Sequence, residues 1–208
     1  MALSDSERRD PKTHDTIVLV PIRSFDGAKS RLADSLGPLA RRALIRRMAE
    51  TVVAAAHDLS VWVVTDDDEV ADWARTRGAL SCTVGVIGLN PAVTAAATAA
   101  ADAGASRIII AHADLPYASD LRVVTGTGVA LAPDRHRDGS NVMSLPTNTG
   151  FVFAYGPGSF ERHRAEAARL GLDFTEIDDA SLGWDVDSPA DLPTREFNDA
   201  PDHARSGC

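Results

Sequence analysis

Lysine is almost missing from this sequence. Of its 21 basic residues only Lys12 and Lys29 are lysines, and the rest are arginine. Cysteine is equally scarce. Cys82 lies in an apolar run and Cys208 ends a polar tail, which leaves no disulfide framework and makes an intracellular, cytoplasmic setting the expectation. No apolar run approaches the roughly 20 residues of a spanning helix. The opening MALSDSERRDPKTHD lacks the apolar core of a signal peptide, so no membrane partner is expected. Positive charge is also short. A formal net charge of -9 excludes the broad cationic face that grips nucleic acid through its phosphates.

What is present is a chain of 208 residues, 44% hydrophobic, which suffices for one real core. Polar stretches at 1–15 and 198–208 read as tails around a single domain at 16–197. Within it, strand and helix signals alternate. TIVLVP, VWVVT, CTVGVI and RIIIAHADLP are short β-rich runs of the buried parallel kind. PLARRALIRRMAETVVAAAH predicts a helix with Pro38 near its first position and apolar Leu39, Leu44, Met48 and Val52. DDDEVADWARTRG and the alanine-rich NPAVTAAATAAADAG predict two more, closed by Gly78 and Gly104. The second half adds strands at GVALAP, NVMSLP, FVFAYG and DFTEID, with a helix at SFERHRAEAARLG. Such alternation implies an α/β fold with a mostly parallel sheet and helices on both faces, binding its ligands outside the carboxyl ends of the strands.

Several chemistry-bearing residues fall at that edge. After the first strand, GAKSRL carries Gly27, Lys29 and Arg31, with Arg23 just before. Glycine lets backbone approach a polyphosphate and the cations offset its charge, although a solvated basic loop reads the same way. Lys29 is the only lysine outside the N-terminal extension. After the fourth strand comes Asp114, either a turn aspartate or a magnesium ligand, since Mg²⁺ is held by one or two carboxylates plus substrate phosphates. His112 shares its strand face and reads first as a packed histidine. In WDVDSPADL, Ser188, Pro189 and Asp191 form a capping box with proline at the first helical position. Asp185 and Asp187 precede it unexplained, and one of them can join Asp114 around a metal. Gly156, Gly158 and Ser159 stand before a helix whose free N–H groups attract an anion. Ser140, after Gly139, offers a hydroxyl to an acid or phosphate.

VPIRSFDGAKSRLA, GLNPAVTAA, AHADLP, DGSN, YGPGSFERH and WDVDSPADL, in this order, resemble the 2-phospho-L-lactate and phosphoenolpyruvate guanylyltransferases of deazaflavin coenzyme F-420 biosynthesis. The resemblance implies a Rossmann-like three-layer αβα sandwich of the GT-A nucleotidyltransferase type. It implies transfer of GMP from GTP, with Mg²⁺, onto the phosphate of a three-carbon phospho-acid. Phosphoenolpyruvate is favoured over 2-phospho-L-lactate, and pyrophosphate is released. On matching positions, Asp114 and Asp185 hold the metal, and Ser140, Gly156 and Ser159 hold the acceptor. Lys29 and Arg31 contact phosphate, and Leu89 and Asn90, with Arg23 and Lys29, serve the nucleotide. Arg23 stands where many members carry lysine, Ser140 where many carry threonine, and His112 where smaller or amide residues are common. Two other readings remain: another nucleotidyltransferase of the fold, molybdopterin guanylyltransferase-like or sugar-nucleotide type, and a non-catalytic nucleotide-binding protein. The first lacks its usual L-x-G-G-x-S-x-R-M loop here, and the second would have lost an acidic ligand or the loop lysine.

Overall fold

The computed structural model describes residues 15–26 and 29–193. The expected tails, apart from Asp15, and Gly27 in the basic loop lie outside the described residues. Seven strands form one sheet: β1 Thr16–Pro21, β2 Ser60–Val64, β3 Leu80–Cys82, β4 Arg107–Ala111, β5 Val129–Pro133, β6 Ser140–Pro146 and β7 Phe174–Glu176. Their order is β3-β2-β1-β4-β6-β5-β7. Only β6 runs against its neighbours, pairing antiparallel with both β4 and β5. The helices are α1 Pro38–Ala54, α2 Asp68–Thr76, α3 Leu89–Asp102, α4 Ser159–Arg169 and the short α5 Ala180–Gly183.

Two apolar layers flank the sheet because its central strands are buried on both faces. Val18 and Val20 of β1, with Ile109 of β4, face α1 and α2 through Leu44, Met48, Val52, Val70 and Trp73. Ile17, Leu19, Ile108 and Ile110 face the other way, toward Val93, Ala96 and Ala100 of α3 and Phe160 and Ala167 of α4. Alternate residues of an extended strand point to opposite faces, so an unbroken apolar run serves both layers. Each fully buried Val, Leu or Ile contributes roughly 1.5–3 kcal/mol relative to leaving it in water.

The punctuation residues act as their chemistry requires. Pro38 opens α1, where a missing N–H costs nothing, and Gly78 and Gly104 follow helices at φ 74° and 95°. Asp67 caps α2 by accepting the Val70 N–H at 3.0 Å.

Three expectations need correction. Leu39 is 83% exposed and belongs to no core face. β3 spans Leu80–Cys82 rather than running to Ile87, because the Val84 and Gly85 N–H groups donate to Asp66 Oδ1 and Gly85 turns at φ 63°. FVFAYG is not a strand at all. Side chains take its backbone groups: Glu166 accepts from Val152 N, His163 Nε2 from Ala154 N and Asn90 Oδ1 from Tyr155 N, while Arg162 donates to the Ala154 carbonyl. Phe151, Phe153 and Tyr155 are nevertheless buried against the α3–α4 layer.

Candidate active site

Topology brings distant segments to one edge. β1, β2, β4 and β5 all end there, and antiparallel β6 begins there, so Ser140 and Asn141 come to the place where β4 delivers Asp114. His112 N donates to Asn141 O at 3.0 Å, extending the pairing one step past β4. The turn that follows carries Asp114, and its carbonyl accepts the Val186 N–H at 3.2 Å. That bond docks the WDVD segment on the β4 turn, with Val186 fully buried and Asp185 and Asp187 on either side of it.

Asp191 and Arg135 hold this segment from behind. The Asp191 carboxylate receives the N–H of Asp187 at 3.1 Å and both the N–H and O–H of Ser188, which completes the capping box. The element that follows is a three-residue 3₁₀ turn, Pro189–Asp191, within the described residues. Arg135 pairs with Asp191, donates to the Asp185 carbonyl at 3.2 Å and lies 4.4 Å over the Trp184 ring.

Lys29 meets these acids from the β1 side. It adopts a left-handed backbone (φ 54°, ψ 47°) just before the turn Ser30–Leu32, whose Leu32 is fully buried. From there its Nζ reaches Asp114 Oδ2 at 2.5 Å and Asp187 Oδ1 at 2.8 Å. Burial works against the ammonium, yet Asp114 and Asp187 outweigh it and raise the Lys29 pKa. Burial likewise pushes the Asp114 carboxyl up, and Lys29 and His112 nevertheless hold it below its ordinary range. Among the described residues Asp185 has no such partner. Burial first, then the charges of Asp114 and Asp187, raise it from 3.8 to about 6.

The sequence-expected residues therefore divide. Asp114, Asp187 and Lys29 form one ion-paired cluster, and Asp185 is coupled to it through its charge rather than through Lys29. Asp187, which the sequence left open, is the lysine's second partner. Arg23 and Arg31 are exposed and make no side-chain hydrogen bond or ion pair among the described residues. Leu89 is partly exposed, whereas both ends of the Asn90 amide are occupied: Tyr155 N donates to Oδ1 at 2.7 Å and Nδ2 donates to Tyr155 O at 3.3 Å. Asn90 thus ties the start of α3 to the segment preceding Gly156.

Ser140 and Ser159 also meet, but below the surface, at 2% and 1% exposure. Their hydroxyls lie 3.3 Å apart, and Ser140 Oγ is 2.9 Å from His163 Nδ1. Gly156 turns beside them at φ 119°. The expectation of free N–H groups at the start of α4 is corrected here. Gly158 N donates to Asp138 Oδ1, Phe160 N to Asp138 O and Ser159 N to Gly156 O. Asp138 lies in the β5–β6 hairpin, which Asp134 folds over itself by accepting three of its N–H groups, so a built-in carboxylate already fills the helix terminus.

His163, bonded to Ser140, is the buried polar residue at this corner that sequence reasoning missed. Its signal was a polar residue on the apolar stripe of α4, in phase with Phe160 and Ala167.

Three buried polar atoms remain without a partner among the described residues: Asp114 Oδ1, His112 Nε2 and Tyr155 Oη. Among the same residues no three His, Cys, Asp or Glu side chains already stand together as a metal cage. No described helix is long and apolar enough to cross a membrane.

A mixed, mostly parallel seven-stranded sheet, with acids and a lysine gathered at its carboxyl edge, defines a nucleotidyltransferase fold. Solved structures of this architecture include a nucleotidyl transferase from Methanothermobacter thermautotroptrophicus (TM-score 0.60, 16% identity, 85% of this chain and 93% of that one). Another is the 4-diphosphocytidyl-2C-methyl-D-erythritol synthase of Anaerococcus prevotii (TM-score 0.56, 10% identity, 85% and 94%). The family model described as "Guanylyl transferase CofC like" matches residues 16–197, and the chain belongs to that family. Its relatives include the phosphoenolpyruvate guanylyltransferases of Sphaerobacter thermophilus (36% identical, 85% of this chain and 90% of the relative) and Rubrobacter xylanophilus (34%, 86% and 92%). The protein is a guanylyltransferase.

Proposed function

We propose that this enzyme moves GMP from GTP onto the phosphate of a three-carbon phospho-acid, phosphoenolpyruvate foremost and 2-phospho-L-lactate next, on the route to coenzyme F-420. The observation that carries the reading is the cluster at the sheet edge: the body's one lysine among Asp114, Asp185 and Asp187, beside a buried pair of hydroxyls. The names of the relatives support phosphoenolpyruvate.

In the reaction an acceptor phosphate oxygen bonds to the α-phosphorus of GTP, the bond from that phosphorus to the bridging oxygen breaks, and pyrophosphate leaves. The acceptor is already an anion and needs no strong base. The obstacle is repulsion between two anions, so the protein's task is charge neutralisation and alignment. Lys29 supplies the ammonium, and exposed Arg23 and Arg31 face solvent with unclaimed guanidinium groups that suit phosphate oxygens. Ser140 and Ser159, beside the Gly156 turn, orient the acceptor.

The residues also fit Mg²⁺. Among the described residues Asp114 Oδ1 is buried without a partner and no cation balances Asp185; hard oxygen donors of this kind suit that ion. Asp114 and Asp185 would hold it, with Asp187 adjoining, and when bound it neutralises developing charge on the transferred group.

The test is to incubate pure protein with GTP, Mg²⁺ and, separately, phosphoenolpyruvate, 2-phospho-L-lactate or 3-phosphoglycerate, and to identify the product by mass. A guanylylated phosphoenolpyruvate is expected. Transfer to none of the acids, or transfer from CTP or UTP in preference to GTP, would remove the proposal.

A further inference from the structure

His163 is fully buried, flanked by Phe151 and met edge-on by Tyr155, whose ring centroid is 4.8 Å away. An apolar stripe has no need of an imidazole there, so its hydrogen bonds define what it does. Ala154 N–H donates to Nε2 at 2.9 Å, and a donor can meet only a lone pair, so Nε2 is unprotonated. Burial first, with the Arg162 charge nearby, holds the His163 pKa down to about 4, so the ring is neutral. A neutral imidazole carries one N–H, and here it must be Nδ1–H, which donates to Ser140 Oγ.

The consequence lies in the protons beyond. His163 Nδ1, Ser140 and Ser159 together own three donor protons, and the two links joining them use two. Ser159 Oγ–H donates to Ser140 Oγ, so with Nδ1–H also donating there the Ser140 proton is left with no acceptor among the described residues. The opposite tautomer would reverse this. Ser140 would donate to Nδ1, Ser159 to Ser140, and the chain would end in lone pairs that repel an anion.

Building on the acceptor reading above, we infer that His163 is a positioning residue: through its Nδ1–H bond to Ser140 it leaves the Ser140–Ser159 pair with a proton to give, and so sets this corner of the site to receive an anionic oxygen of the acceptor. The donor polarity comes from a backbone amide, Ala154 N–H, relayed through one ring.

Two measurements test this. A long-range ¹H–¹⁵N spectrum of histidine-labelled wild-type protein, assigned against His163→Asn, should read His163 as the Nδ1–H tautomer. Finding Nε2–H would overturn the inference without any variant having to fold. Kinetics supply the second. Glutamine places its amide near Nε2 and loses the Ser140 link, whereas asparagine places it near Nδ1 and keeps that link. His163→Gln should raise the acceptor KM roughly 10- to 100-fold, the range of one hydrogen bond to a charged group, with the GTP KM within about 2-fold. His163→Asn should restore the acceptor KM to within about 3-fold of wild type. Equal rises for both substrates, or no rescue by asparagine, would overturn the positioning role. Wild-type protein that guanylylates no phospho-acid would instead remove the acceptor reading, while the tautomer result would stand.

Discussion

Replacing Asp185 with asparagine should stabilise the metal-free protein while stopping its chemistry. The carboxyl is raised from 3.8 to about 6 by burial and by the neighbouring charges of Asp114 and Asp187. A shift of about two units corresponds to about 3 kcal/mol between the two protonation states. Partial exposure of the side chain screens this, so about 1–2 kcal/mol is the expected effect. The sign follows from proton counting. Between the unfolded value near 3.8 and the folded value near 6, the native chain holds a proton that the unfolded chain has released, so wild-type stability falls as pH rises through that window. Asparagine copies the neutral acid and escapes the loss. In EDTA at pH 8, Asp185→Asn should melt about 2–8 °C above wild type, since each kcal/mol moves a domain of this size by about 2–4 °C. At pH 4 the two curves should coincide. Adding Mg²⁺ should raise the wild-type melting temperature more than that of the variant. Circular dichroism melts over pH 4 to 8 read all of this. A variant no more stable at pH 8, or stabilised equally at both pH values, would refute the argument that the cost of burying this charge beside its acidic neighbours is stored in the fold.

Asp114→Asn should reduce GMP transfer below about 1% of wild type in a pyrophosphate-release assay, with the fold intact by circular dichroism. Lys29→Met removes the cation shared by Asp114 and Asp187, and should destabilise by about 1–3 kcal/mol at pH 8. That loss should shrink as pH falls through the depressed Asp114 value, as urea titrations would report. Gly128→Ala would set a Cβ 2.2 Å from the Asp173 carbonyl oxygen where β5 meets β7. It should cost about 2–4 kcal/mol by the same titration, with the effect falling on stability rather than on KM.

The sequence declared the elements whose signal is local. β1, β2 and β4 are unbroken β-rich runs, and Pro38, Gly78 and Gly104 mark helix ends by backbone chemistry that any context must obey. FVFAYG misled because its alternating aromatics do pack inward as a strand's would. Its backbone is claimed instead by Glu166, His163, Arg162 and Asn90, three of them on a helix that comes later in the chain. The site divided in the same way. Asp114, Asp185 and Lys29 stood out as charges at the ends of apolar segments or as a singular residue type. That Lys29 chooses Asp187, that Asp138 already fills the start of α4, and that Ser140 is locked to His163 all depend on residues 20 to 158 positions apart meeting in space.

The reversed direction of β6 has a consequence for how such an enzyme diversifies. Because that strand starts where its neighbours finish, one corner of the reaction chamber is furnished by a hairpin, 134–139, and not by a crossover helix. That short connection stands apart from the β1 and β4 turns. Six residues of hairpin can therefore be rewritten without touching the parallel strands whose ends carry Lys29 and Asp114.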